Sequence, residues 1–110
     1  MVDLPTTEII EPQYRAQVQN IGWQGWVSDG AIAGTVKQSL RLEAIQIELT
    51  GQLAQNYSVS YRAQVQNIGW QGSVSDGTTA GTVGQGLRLE ALKISLIPKI
   101  HYSWNYDNQY

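Results

Sequence analysis

The sequence predicts an all-β protein, a repeat-built antiparallel β sandwich or barrel with internal pseudo-symmetry, and three observations predict it. The stretch from Tyr14 to Leu49 recurs from Tyr61 to Leu96 at an offset of 47 residues, with 28 of the 36 aligned positions identical. Apolar residues inside each copy alternate with polar ones at the period of a strand. Short turn signals separate the alternating runs. A chain of 110 residues is the size of one domain. The expected organisation is therefore a single all-β domain over 1–110. It holds two repeats at about 10–56 and 57–101, and an additional C-terminal strand over 102–110.

The opening strand places Tyr14, Ala16 and Val18 on one face and Arg15, Gln17 and Gln19 on the other, and Tyr61, Ala63 and Val65 repeat it. Ile10 and Pro12 extend the alternation ahead of Tyr14. Asn20-Ile21-Gly22 turns the chain. Strict alternation then groups Trp23, Gly25 and Val27 on one face and Gln24, Trp26 and Ser28 on the other, assigning Trp23 and Trp70 to the core face. Ser28-Asp29-Gly30, Ala33-Gly34-Thr35 and Thr50-Gly51-Gln52 read as further turns.

From Leu40 to Leu49 the apolar frame slips at Ala44: Leu40 and Leu42 are even, whereas Ile45, Ile47 and Leu49 are odd. A bulge there returns both halves to one core. No helical stripe exceeds a turn or two, and the β-branched isoleucines favour a strand in this run. Tyr57 to Tyr61 matches Tyr102 to Tyr106 at an offset of 45, so a third copy begins at the C-terminus. Tyr102, Trp104 and Tyr106 fall on one face of that strand, with His101, Ser103, Asn105 and Asp107 on the other.

Eight positions differ between the copies: Trp26/Ser73, Ala31/Thr78, Ile32/Thr79, Lys37/Gly84, Ser39/Gly86, Ile45/Leu92, Gln46/Lys93 and Glu48/Ser95. Were Trp26 a core residue, a Ser in its place would leave a cavity costing about 3–5 kcal/mol. Trp26 is therefore expected at the surface or an interface. Ile45/Leu92 is the volume-conserving exchange of a buried site, and Gln46/Lys93 and Glu48/Ser95 mark the wet face of the same strand.

Net charge is −2 without charge runs, which argues against nucleic acid as a partner. There is no cysteine for a disulfide or thiolate metal site, and no apolar run long enough for membrane insertion or a leader peptide. Arg41 and Glu43, like Arg88 and Glu90, lie two apart on a strand and read as ion pairs. Asp29 and Asp76 sit in Asp-Gly turns, which explain them without a catalytic role. His101 is the single histidine, and neither a metal site nor an acid–base pair can be assembled around it. No cofactor, metal or catalytic residue is expected.

Four Trp and six Tyr occur with no Phe, so every aromatic ring carries a polar handle, as suits a partly wet recognition surface. The candidate ligand residues are Trp26, Gln24, Gln71, Asp29, Asp76, Trp104 and Asn105.

The run from Val18 to Leu49 resembles the ChW repeat, the clostridial hydrophobic repeat with an invariant tryptophan. The motif residues are Val18-Gln19, Gly22-Trp23, Gly30, Gly34-Thr35, Arg41, Glu43-Ala44-Ile45 and Ile47. The second copy carries them as Val65-Gln66, Gly69-Trp70, Gly77, Gly81-Thr82, Arg88, Glu90-Ala91-Leu92 and Ile94. The resemblance implies a secreted or cell-surface module of a Gram-positive bacterium that binds polysaccharide or protein and is not an enzyme. The expected partner is a glycan or a cell-surface or cell-wall protein. The alternative is a structural or assembly module forming a homo-oligomer through repeat or strand complementation.

Overall fold

The computed structural model describes residues 12–99. The expected strand over 102–110, and with it the start of a third copy, lies outside the described residues, as does Ile10.

The protein is all-β, as predicted, and each repeat builds one small unit. The first contains β1 (Gln13–Val18), β2 (Gly22–Trp23), β3 (Val27–Ser28) and β4 (Leu42–Glu48). The second contains β5 (Tyr57–Val65), β6 (Gly69–Trp70), β7 (Val74–Ser75), β8 (Ala80–Gly81) and β9 (Leu89–Pro98). In each unit the two long strands pair antiparallel, and the first two short strands pair with the first long one. The two sheets are antiparallel and neither closes into a barrel.

A bulge restores the apolar frame as expected, one residue from the predicted position. Gln17 opposes Ala44 and Val18 opposes Leu42, leaving Glu43 as the extra residue; Glu90 plays the same part between Ala91 and Leu89. Leu42, Ile45 and Ile47 consequently face inward opposite Val18, Ala16 and Tyr14.

The Thr50-Gly51-Gln52 turn is corrected to the start of a six-residue helix, α1 (Gly51–Asn56). Gln, Leu and Ala are good helix formers, and one and a half turns carry the chain from β4 to β5. The backbone N–H of Lys99 closes onto Asn56 O at 2.8 Å, tying the end of β9 to the helix.

The units share one core. Ile47 packs with Val59, Tyr61, Ala63, Val65 and Ala80, flanked by Tyr14, Ile45, Leu49 and Leu92. The junction is a strand addition: β8 of the second unit lies on the outer edge of β4, with Gly81 opposite Ala44 and Ala80 opposite Ile45. Thr82 N donates to Glu43 O at 3.1 Å and Gly77 N to Ile47 O at 2.7 Å. Only glycine fits at position 81, because a Cβ there would lie 2.4 Å from Glu43 O on a backbone with φ of +100°. The matching Ala33-Gly34 has no such neighbour and forms no strand.

A cation-flanked indole face

The candidate site lies on the sheet faces turned away from the core. β1 turns through Gln19-Asn20-Ile21 into β2, so Trp23 comes to lie opposite Gln17 and on the same face as Arg15. The Arg15 guanidinium carbon sits 4.9 Å from the Trp23 ring centre and 4.8 Å from that of Trp26, with a cation serving both indoles. Arg15 Nε donates to Gln46 Oε1 at 2.8 Å, and Gln46 Nε2 donates to Thr79 Oγ1 of the second unit at 2.8 Å. The second unit reverses the stoichiometry. Ser73 removes the second indole and Lys93 supplies a second cation: Arg62 stands 5.1 Å and the Lys93 ammonium 4.6 Å from the centre of Trp70.

This arrangement corrects the assignment of Trp23 and Trp70 to the core face. Trp23 and Val27 have the same parity, yet Val27 opposes Tyr14 on the inner face while Trp23 opposes Gln17 on the outer one. Strict alternation fails because Gln24, Gly25 and Trp26 between them are not strand. Trp70 is 39% exposed, and Trp23 and Trp26 are half-buried.

The predicted ligand residues are placed as follows. Gln24 clasps its own loop: its Oε1 accepts from Gly34 N at 2.7 Å and its Nε2 donates to Gly34 O at 3.2 Å. Gln71 does the same to Gly81, at the same two distances. Asp29 and Asp76 occupy left-handed turn positions, with φ of 60° and 47°. Asp76 also accepts the Val59 N–H on Oδ1 at 3.0 Å, fixing the turn against β5. Trp104 and Asn105 lie outside the described residues. The structure thus gathers Trp26 with Trp23 and Arg15, and ties Gln24, Gln71 and Asp76 into loop scaffolding. Arg15, Arg62 and Lys93 are not among the predicted residues; the exchange Gln46/Lys93 marks Lys93, whereas Arg15 and Arg62 are identical in the two copies and carry no such mark.

Other polar groups hold the scaffold. The expected ion pairs form, Arg41–Glu43 at 2.7 Å and Arg88–Glu90 at 3.1 Å. The Tyr61 hydroxyl donates to Thr78 O and accepts the Ile47 N–H at 3.1 Å; burial pushes its pKa upward. Tyr14 closes the matching loop of the first unit by donating to Ala31 O. Among the described residues no group of three or more acidic or histidine side chains could hold a metal ion, and no helix is long and apolar enough to cross a membrane.

A family model described as ChW, clostridial hydrophobic W, matches the chain twice, at residues 17–51 and 64–98. No curated protein and no solved structure matches it.

Proposed function

Because the chain belongs to the ChW, clostridial hydrophobic W, family through two tandem repeats, we propose that it is a non-catalytic binding module, secreted or on the surface of a Gram-positive bacterium, that recognises carbohydrate through its cation-flanked indoles. The observation that carries this reading is the location of the Trp rings. Trp23, Trp26 and Trp70 sit on the outer faces beside Arg15, Arg62 and Lys93 instead of in the core. An indole with accessible area supplies the flat apolar surface on which a sugar ring stacks, and a neighbouring guanidinium or ammonium donates hydrogen bonds to hydroxyl or carboxylate oxygens. The second unit, with two cations on one ring, favours a saccharide bearing acidic groups. The first, with two rings on one cation, favours a neutral one. Linked weak sites gain avidity on a polymeric ligand that reaches both.

The test is retardation and Trp fluorescence of the chain with neutral polysaccharides and uronic-acid polysaccharides. Trp70→Ala is expected to weaken acidic-polymer binding by about tenfold, equivalent to about 1.4 kcal/mol, and Trp26→Ala to weaken neutral-polymer binding. Absence of any response to either class overturns the reading, and the release of new reducing ends overturns its non-catalytic part.

A further inference from the structure

The same residues are covered in one unit and bare in the other, and the difference maps onto one interface. Ile47 is 4% exposed whereas Ile94 is 55% exposed; Glu43 is buried whereas Glu90 is exposed; Ala80 is buried whereas Ala33 is half-buried. Each covered member lies where β8 of the second unit meets β4 of the first. Among the described residues the first unit therefore offers a used tail and an unpaired head, and the second a used head and an unpaired tail. Ile94 and Leu96 also line an open apolar groove of about 370 Å³ with Tyr14, Ile47, Leu49 and Val59.

We propose that the outer edge of β9 binds the first unit of a second copy of this chain, head to tail. The repeat fixes the register: Gly34 of the incoming copy lies opposite Ala91 and its Ala33 opposite Leu92, as Gly81 and Ala80 lie opposite Ala44 and Ile45. The incoming Tyr14 hydroxyl meets the Ile94 N–H, as that of Tyr61 meets Ile47. The occupant is a second copy because the surface continues an interface the chain already makes, and its backbone pairing, its glycine and its tyrosine all have counterparts at the other two ends. Gly34 is already glycine, with φ of +116°, as the close approach to the bulge carbonyl requires. The substitutions leave the surfaces compatible. Ile32, 66% exposed, takes the place of Thr79 and rests on the aliphatic stem of Lys93, which replaces Gln46. That exchange removes the Gln46–Thr79 hydrogen bond, so the contact between copies is weaker than the contact within one and forms reversibly. Being heterologous, it propagates along a chain of copies, which ends in a ring only if the rotation closes.

Scattering mass of the full chain against concentration tests this. The mass is expected to rise at least twofold from low to high micromolar protein. Ile94→Lys, on the tail, and Ala33→Glu, on the head, are each expected to remain monomeric while keeping the native circular dichroism. A mixture of the two retains one good head and one good tail, and should form pairs that grow no further. A native chain that stays monomeric throughout overturns the proposal, as does association that both variants leave undiminished or a mixture that fails to pair.

Discussion

The two units share 28 of 36 residues and one fold, yet the second presents its repeat to a neighbour and the first receives it. Tyr61 is buried where Tyr14 is half-buried, and Gly81 is strand where Gly34 is loop. Burial in a repeat protein is thus a property of a residue's place in the array as much as of its identity.

The largest test of that difference is a methyl group on each glycine. In Gly81→Ala the new Cβ meets the fixed backbone of Glu43 and Ala44 at 2.4 and 2.8 Å. With the cost of the positive φ added, a loss of about 3 kcal/mol or more is expected in urea unfolding. In Gly34→Ala the Cβ meets only the tip of the Leu42 side chain at 3.3 Å, which can turn away. The strain of φ then dominates, about 1–2 kcal/mol. Equal losses would break the comparison.

Next come the isoleucines. Ile47→Ala empties a packed site and is expected to cost about 3 kcal/mol, whereas Ile94→Ala should stay within about 0.5–1 kcal/mol, measured on dilute protein.

The tyrosines sharpen the contrast. Tyr61→Phe leaves the Ile47 N–H and the Thr78 carbonyl without their partner, an expected cost of about 1–3 kcal/mol. Burial holds the Tyr61 pKa above its ordinary value of 10.0, so between that value and the raised one the folded protein keeps a proton that the unfolded chain has lost. Stability conferred by the neutral hydroxyl is complete below pH 10 and declines as pH climbs through that window. Thermal melts should show a shallower decline for Tyr61→Phe than for the native chain.

The smallest effect should be a gain. Lys37 and Ser39 hold φ of 61° and 57° where the second unit has Gly84 and Gly86. Relief of left-handed strain outweighs the added chain entropy of glycine, so Lys37→Gly and Ser39→Gly should each stabilise by about 0.5 kcal/mol in calorimetry.

Much of this was legible in the sequence. The inward set of Tyr14, Ala16 and Val18, the bulge beside Ala44, the Asp-Gly turns and the Arg41–Glu43 pair all follow from local rules of period, turn chemistry and spacing. The facing of Trp23 did not, because β2 and β3 are two residues each and alternation cannot be carried across the irregular Gln24-Gly25-Trp26 link. Nor could the roles of Gln24 and Gln71 be read, since an amide ten residues from its glycine leaves no periodic trace. The Arg15 cluster left no trace either, because Arg15 and Trp23 are identical to Arg62 and Trp70, and the exchange Gln46/Lys93 marks only a wet strand face.

The glutamine clasps also decide which way the structure can lengthen. Each uses up the N–H and the carbonyl of its glycine on one side of the segment. In the second unit the next residue turns the other way, Thr82 N–H donating to Glu43 O of β4. A third strand therefore cannot sandwich the segment, and the protein is given a front and a back: an end that inserts and an edge that accepts, built from a single amide.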